Sequence, residues 1–468
     1  MHSTIAPAAG GAYPCRSGNQ VRPLIDGPES FGRIAEAVEA AQHSVWLTLA
    51  FHEAEFRFPG GRGSLFDLLG AAAERGVDVR GLFWREPDLE SLVSDSQIFA
   101  GTETEQKMLR DRGWGGKIRW DVLPGFCHHQ KSWLIDAGQP EERAFVGGIN
   151  LDRGSLSPRG HALRGTPESG VADLYAEIHD LYLELRGPST TDVFHNFVQR
   201  WNQASEKEVP GGCFPDPATA DDLSFPSRLA EVQGDVAVQI TRTVKSGVYT
   251  GSESAPDAAA FDIAAGEASV REQILSAVAG ARRTIYIENQ IFLSRTLLSA
   301  LHDALQRDVQ VIAVVPRIPM KELIEYRRRA PEVAAPIFEW LDRCGSHPGF
   351  TLVGLAREDV TGRQVDIYVH AKMMLVDDSW ATIGSTNFMG RSFFQETEMN
   401  ASFWCPDAVK QLRTELFEEH LEEDMGELNE RRAFARFAEH ARLNAVRFAA
   451  REPLQGLAHA LETETYCT

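Results

Sequence analysis

The hydrophobic pattern of the chain occurs twice. Residues 34–47 read IAEAVEAAQHSVWL and residues 274–287 read ILSAVAGARRTIYI, with the apolar positions in register at an offset of 240. In both segments apolar residues first recur at helical spacing and then run together, as in a buried strand. The pattern therefore predicts the same helix–strand unit in two halves of the chain.

A second helix and strand follow in each half, over residues 68–84 and 297–315. The offset there is 232, so the first half carries about eight extra residues, which we place in the glycine-rich loop near residues 56–63. Strands that alternate with helices of about 10–15 residues predict an α/β fold with a parallel or mixed sheet. We expect two pseudo-symmetric α/β repeats.

The composition along the chain predicts where the repeats begin and end. Residues 209–226 read VPGGCFPDPATADDLSFP, and a segment so rich in Pro, Gly and Asp is typical of a linker or surface loop. After about residue 423 the pattern is helical and has no counterpart in the first half. The predicted organisation is a tail at 1–19, a first repeat at 20–206, a linker at 207–234, a second repeat at 235–425 and a helical tail at 426–468.

The overall composition limits the class of protein and its partners. The chain has 468 residues, of which 43% are apolar and 24% charged, and this excludes collagen, a long coiled coil and wholesale disorder. The formal net charge of −20 repels polyanions, so general nucleic-acid binding is disfavoured. The six cysteines are far apart and form no CxxC pair, which argues against a zinc site and a disulfide framework.

The sequence also predicts a location. No run approaches the roughly 20 apolar residues that a membrane-spanning helix needs. Residues 1–20 lack the charged-then-apolar pattern of a signal peptide. We expect a cytoplasmic protein that can act at the surface of a membrane.

One motif, H-x-K-x-x-x-x-D, occurs in both halves at an offset of 241. Its members are His129, Lys131 and Asp136 in HQKSWLID, and His370, Lys372 and Asp377 in HAKMMLVD. On a strand, His and Lys two residues apart point to the same face, so each half offers an imidazole and an ammonium side by side. The two aspartates end the strands, and we expect them to make structural hydrogen bonds.

Two further polar positions repeat after the motif. A small-residue turn ends in Asn150 in the first half and in Asn387 in the second, and an Asn amide can donate to a phosphate oxygen. Asp180 in HDLYLEL and Glu398 in TEMNASF each stand at the start of a predicted strand. A carboxylate that bonds a histidine ring fixes its tautomer and stabilises its cation. Glu396 is an alternative to Glu398.

These paired motifs, each followed by GG or GS and then Asn, resemble the phospholipase D superfamily from about residue 20 to 421. The pieces HHQK and IENQIF are similar to phospholipases D of the eukaryotic type, whereas GSTNFMGRSFFQETEMN is similar to bacterial cardiolipin synthases. The resemblance implies two α/β sandwich repeats with mixed sheets flanked by helices, and an active site at their interface.

The same residues indicate a chemistry. Two His, two Lys and two Asn that converge form a cationic pocket for one phosphodiester: Lys131, Lys372, Asn150 and Asn387 would bind the phosphate. One histidine can attack phosphorus while the other acts as general acid and base. The resemblance implies this mechanism; we assign attack to His129 and proton transfer to His370, with Asp180 and Glu398 orienting the two rings. No acidic cluster accompanies the motifs in the sequence, so we expect no metal and no cofactor.

Four functions remain open at this point. The first is a phospholipase D-type phosphodiesterase and phosphatidyltransferase, which cleaves the distal phosphodiester bond of phospholipids through a phosphohistidine and uses water or an alcohol as acceptor. The second is a cardiolipin synthase-like transferase. A nuclease is disfavoured by the net charge, and a non-enzymatic binder is disfavoured because both motifs are intact. No obligate protein partner is implied.

Several segments keep two interpretations. Arg327–Arg329 form either an anion-binding patch or a solvated helix face. The segment 431–451 forms either a basic helix on a membrane or a helix docked on the core of the protein. Phe51, Phe56 and Phe58 either line an entrance for acyl chains or simply pack. His128 is expected to point away from the site, on the opposite strand face.

Overall fold

A computed structural model describes residues 5–85, 103–114, 117–161, 177–205, 221–251, 253–359 and 362–468. Within these ranges the first half contains β1 (Arg16–Ile25), α1 (Asp26–Ala40), β2 (Ser44–Leu49), α2 (Leu65–Glu74), β3 (Asp78–Arg85), α3 (Glu103–Asp111), β4 (Ile118–Val122), β5 (Lys131–Ile135), β6 (Arg143–Gly147), β7 (Ile178–His179), β8 (Leu181–Arg186) and α4 (Thr190–Asn202).

The second half begins with β9 (Val236–Val244), β10 (Glu267–Ala268), α5 (Ser269–Gly280), β11 (Thr284–Asn289), β12 (Phe292–Leu293), α6 (Arg295–Leu305), β13 (Gln310–Val314), α7 (Lys321–Arg329), α8 (Pro331–Gly345), β14 (Phe350–Glu358) and β15 (Gln364–Val369). It continues with β16 (Lys372–Val376), β17 (Trp380–Gly384), β18 (Phe388–Met389), α9 (Gly390–Phe394), β19 (Glu398–Trp404), α10 (Pro406–Leu421), α11 (Glu430–Ala450) and β20 (Ala458–Ala460).

The two halves have the same sheet order. In the first it is β1-β8-β6-β5-β2-β3-β4. In the second it is β9-β19-β17-β16-β11-β13-β14. The last two pairings in each sheet are parallel and the others antiparallel, so both sheets are mixed. This confirms the predicted pseudo-symmetric α/β repeats, and the equivalent strands β5 and β16 are central in both.

The sheets pack against each other through their inner faces. One hydrophobic core combines residues of both sheets, such as Trp46 and Leu134 with Met373 and Ile383. Separate cores fill the space between each sheet and its outer helices. Helices therefore lie on both sides of the sheets, because α4, α10 and α11 contribute to the shared core and further helices cover the outer faces.

The predicted tails take part in the fold. In the N-terminal segment, the Ala8 amide donates to Gln239 at 2.9 Å and to Gln273 at 2.7 Å, and β1 then pairs with both β8 and β9. In the C-terminal segment, Phe434 and Phe437 of α11 are buried in the shared core. The segment is not wholly helical, since β20 pairs with β14. The helix of 431–451 thus docks on the core.

The other open interpretations also have outcomes. Phe56 and Phe58 pack around Phe31 with ring centroids 4.8 and 5.8 Å away, so they belong to the core. The Arg327 guanidinium lies 4.1 Å from the centre of the Phe338 ring and donates to the Tyr466 carbonyl. Of the predicted linker, residues 221–234 form no helix or strand, and residues 207–220 lie outside the described ranges. Across those ranges every helix is too short or too polar to cross a membrane.

Candidate active site

The two motif histidines lie where the halves meet. Each stands just before a central strand, β5 or β16, and its backbone amide bonds to the opposite half: His129 N donates to Thr397 O at 2.9 Å, and His370 N donates to His179 O at 2.8 Å. These cross-bonds hold both motif segments at the interface of the two sheets.

Each histidine ring is paired with a carboxylate of the opposite half. His129 Nδ1 lies 3.1 Å from both carboxylate oxygens of Glu398, and His370 Nδ1 lies 2.6 Å from Asp180 Oδ2. The carboxylate makes Nδ1 the protonated nitrogen, so Nε2 keeps its lone pair. The two imidazoles retain 8% and 10% side-chain exposure, whereas both carboxylates are at or below 1%. The carboxylates are thus sealed behind the rings.

The two motif lysines are buried beside the rings. Lys131 Nζ donates to the His129 carbonyl at 2.9 Å, and Lys372 Nζ donates to the His370 carbonyl. Burial lowers the pKa of Lys131 and lowers that of Lys372 to about 7. A bound phosphate would restore their protons, because an anion favours the charged ammonium.

Burial also shifts the pKa values of the two histidines and of their carboxylate partners. Burial, followed by the charge of the motif lysines, holds the pKa of His129 and His370 well below its usual value, so both rings are neutral in the free protein. Burial raises the pKa of Asp180 and of Glu398 to about 7. Perturbed groups clustered in this way are typical of a catalytic site.

The turns after β6 and β17 hold the two predicted asparagines. Asn387 is buried and Asn150 partly buried, and the Oδ1 atom of each has no hydrogen-bond partner among the described residues. In the same turns Gly148 and Ser385 are equivalent. A Cβ at Gly148 would lie 2.5 Å from Asp180 Oδ1, whereas Ser385 Oγ donates to Glu398 Oε2 at 2.5 Å.

The last residues of the motifs make backbone contacts. Asp136 accepts the amide protons of residues 42–44, and Asp377 accepts those of residues 282–284. These bonds join each motif strand to the start of its neighbour. Both aspartates therefore support the sheet.

Two neighbours of the site residues point elsewhere. Glu396 accepts from Arg391 Nε at 3.1 Å and from Ser392 Oγ at 2.7 Å, so Glu398 is the carboxylate beside His129. His128 Nε2 lies 3.2 Å from Asp121, away from the motif histidine.

A second cluster of buried ionisable groups lies behind Asp180. The ligand atoms of Asp26, His161, His179 and Glu419 lie within 4.8 Å of one another. Both ring nitrogens of His161 and one oxygen of Asp26 are buried without a hydrogen-bond partner among the described residues. Mixed nitrogen and oxygen donors in this arrangement could hold a metal ion.

The sequence analysis missed this cluster because its members come from distant segments. Only two weak signals were available: His179 directly precedes Asp180, and Glu288 lies in the IENQ piece. Glu288 accepts from His179 at 2.8 Å and from His420 at 2.9 Å, and Tyr286 donates to it as well. The His179 carbonyl accepts a hydrogen bond from the His370 backbone amide, so the cluster adjoins the site.

Comparison with known families places the similarity over both halves. A family model described as Phospholipase D matches residues 38–321. A second model, described as Cardiolipin synthase, PLD-like domain, matches residues 274–421. Together the two models cover both histidine motifs.

Individual relatives are similar at low identity. Phospholipase D alpha 1 of Nicotiana tabacum is 25% identical over 77% of this chain, and phospholipase D alpha 2 of Oryza sativa subsp. japonica is 24% identical over 82%. The chain spans only 58–60% of the length of these relatives. The crystal structure of phosphatidylserine synthase from Haemophilus influenzae Rd KW20 has a similar fold, with a TM-score of 0.56 at 13% identity over 92% of this chain and 94% of that one.

Proposed function

Because this chain belongs to the phospholipase D family, we propose that it is a phosphodiesterase and phosphatidyltransferase that cleaves the distal phosphodiester bond of phospholipids. The observation that carries the proposal is the pair of histidines, His129 and His370, each held by a buried carboxylate of the other half. Two such rings beside two lysines supply a nucleophile, a proton donor and cationic groups for one phosphate.

In the first step His129 Nε2 attacks phosphorus. A P–N bond forms, the P–O bond to the head-group alcohol breaks, and the leaving oxygen takes a proton from His370 Nε2. The bound phosphodiester anion raises the pKa of His370, so the ring takes up this proton from solvent when the substrate binds. Glu398 stabilises the positive charge that develops on His129.

In the second step His370 is neutral again and acts as base. It takes a proton from water or from an alcohol, whose oxygen attacks phosphorus, and the P–N bond to His129 breaks. Water yields phosphatidic acid, and an alcohol yields a new phospholipid. Lys131 and Lys372, with the amides of Asn150 and Asn387, stabilise the equatorial oxygens in both steps.

We further propose that the substrate is a phospholipid at a membrane surface and that one chain completes the site. That one chain is enough is supported by the two histidine–carboxylate pairs, each of which joins the two halves of the same chain. No step of this mechanism passes through the cluster at His179.

The test is an assay on mixed phospholipid vesicles with and without 1-propanol, beside a His129→Ala variant. We expect release of head group, formation of phosphatidylpropanol, and loss of both in the variant. Cleavage of nucleic acid or a generic phosphodiester without lipid turnover would contradict the lipid assignment. Turnover that persists in His129→Ala would contradict the site.

A second candidate is a cardiolipin synthase-like transferase, favoured by the family model that matches residues 274–421. In that case phosphatidylglycerol would be both donor and acceptor. Vesicles of phosphatidylglycerol alone distinguish the two: cardiolipin as the main product would favour the synthase, and phosphatidic acid would favour the lipase.

A further inference from the structure

The walls beside the two histidines can be compared position by position, because the two sheets are equivalent. Cys127 and Tyr368 each lie two residues before the motif histidine of their half. The register of β2 with β5 and of β11 with β16 makes Ala50 the counterpart of Gln290. At these matched positions one half carries small apolar side chains and the other carries an amide and a phenol.

The wall beside His129 is apolar. It is a small cluster of Ala50, Phe51, Trp84 and Cys127. The Phe51 ring centroid lies 5.3 Å from that of Trp84 and 6.3 Å from that of His129, with the ring planes at 63° and 81°. Lys131 Nζ lies 5.9 Å from the centre of the same ring. Phe51 therefore borders the reacting groups.

The wall beside His370 is polar. Gln290 Nε2 donates to the Tyr368 hydroxyl oxygen at 3.1 Å, and the Gln290 backbone amide donates to Ala371 O at 3.0 Å. The Tyr368 ring centroid lies 6.4 Å from that of His370, with the rings tilted by 32°. These contacts fix an amide and a phenol beside the second histidine.

The two walls match the two ends of a phospholipid diester. Phosphorus lies between a glycerol that carries apolar chains and an alcohol that carries polar groups. Apolar chains gain by contact with apolar side chains, whereas a polar alcohol needs hydrogen-bonding groups when it leaves water. We propose that the substrate binds in one direction, with its glycerol side at the Phe51 wall and its head-group alcohol at Tyr368, and that Tyr368 selects the alcohol.

This inference rests on the proposed function and gives a physical reason for its histidine roles. An in-line displacement places nucleophile and leaving group on opposite sides of phosphorus. If the head-group alcohol lies at Tyr368, the proton donor nearest to it is His370, and His129 attacks from the far side. The acceptor alcohol of the second step enters where the head group left, so Tyr368 contacts it as well.

The experiment measures a product ratio rather than a rate. Wild type and Tyr368→Phe act on phosphatidylcholine vesicles with equal concentrations of glycerol and 1-propanol. Both products arise from the same phosphatidyl-enzyme, so their ratio reports recognition of the alcohol alone. We expect the ratio of phosphatidylglycerol to phosphatidylpropanol to fall about five- to tenfold when the hydroxyl is lost. Tyr368→Phe keeps the ring beside His370 and removes one oxygen atom.

The matched control is Cys127→Ser, at the equivalent position of the other wall. Its product ratio is expected to stay at the wild-type value. Gln290→Leu, which removes the group that fixes the phenol, is expected to lower the ratio by a smaller factor than Tyr368→Phe.

Two results would overturn the inference alone: an unchanged ratio in Tyr368→Phe with an active wild type, or an equal fall in Cys127→Ser. A wild type that transfers no phosphatidyl group would overturn the proposed function, and this inference with it.

Discussion

The two halves hold their motif histidines in different ways. On one side Glu398 reaches His129, and its carboxylate is held by the Ser385 hydroxyl at 2.5 Å. On the other side the shorter Asp180 reaches His370 directly at 2.6 Å. The longer side chain needs a second residue to fix it, whereas the shorter one needs its backbone to come close.

The turns after β6 and β17 differ in the residue that accommodates each carboxylate. Gly148 leaves room for Asp180, and Ser385 at the equivalent position uses its side chain to hold Glu398. The Ser385 carbonyl also lies 3.0 Å from His129 Nδ1, so that ring has a second acceptor. Among the described residues the His370 ring nitrogens have Asp180 alone as a hydrogen-bond partner. The first ring is therefore held by a network and the second by a single strong bond.

The largest effect is expected from the histidines themselves. His129→Asn and His370→Asn should each lower turnover of phosphatidylcholine by about 10⁴-fold or more, because each removes a group that reacts directly in the proposed mechanism. They should differ with a substrate that has a p-nitrophenol head group, which leaves without a proton donor. His370→Asn should then release a burst of one equivalent per enzyme and stop at the phosphohistidine.

His129→Asn is the control for that experiment and should show no burst. A burst in His129→Asn and none in His370→Asn would reverse the assigned roles, and with them the proposed direction of substrate binding.

The carboxylates should come next, and unequally. Asp180→Asn should lower kcat by about 10³-fold, because the amide cannot stabilise the imidazolium of His370 and no other acceptor is present among the described residues. Glu398→Gln should lower kcat by about 10²-fold, since His129 keeps the Ser385 carbonyl. The measurement is kcat on phosphatidylcholine. Equal losses would contradict the distinction between a network and a single bond.

Exchanging the two turn residues should have a smaller effect. Gly148→Ser should lower kcat by about 10²-fold, because its Cβ would meet the Asp180 carboxylate and displace it. Ser385→Gly should lower kcat by about tenfold through loss of one hydrogen bond to Glu398. Thermal unfolding of both variants separates a local displacement from a loss of stability. A Gly148→Ser enzyme with wild-type kcat would show that the close approach is not required.

The smallest effect is a displaced pH profile. With the pKa of Asp180 and Glu398 at about 7, kcat/KM should fall below neutrality as these carboxyls take up protons. With the pKa of Lys372 at about 7 in the free enzyme, kcat/KM should also fall above neutrality as the charge is lost. In Ser385→Ala the acidic limb should move to higher pH, because the hydroxyl holds the pKa of Glu398 down. An acidic limb that stays in place would assign it to Asp180 alone.

The sequence predicted those parts of the molecule that repeat. The motif histidines and lysines, and the helices and strands around them, could be found because the same spacing occurs in both halves. Which carboxylate meets which histidine could not be found, because the paired residues lie 190 and 269 positions apart and the pairing crosses between halves. The cluster at His179 could not be predicted for the same reason, because spacing along the chain does not show which distant segments the fold brings together.

The sequence also could not predict the direction in which neighbouring side chains pack. Phe51, Phe56 and Phe58 stand close together in the sequence, yet the last two enter the core and Phe51 borders the site. Apolar character alone does not state which side of a loop a ring will occupy. Cys127 and Tyr368 are equivalent in the sequence, but only the fold shows that Cys127 belongs to an apolar cluster and that Tyr368 lies beside His370.

The placement of the N-terminal segment bears on how the chain is made. The amide of Ala8 and the carbonyl of Tyr13 bond to side chains that the ribosome adds between 226 and 265 residues later. During translation these early residues cannot form these bonds until more than half of the chain has been synthesised. The N-terminal segment therefore completes its packing only after residue 273 has been added, and a ribosome that stalls before β9 leaves part of one edge of β1 unpaired and open to other nascent chains.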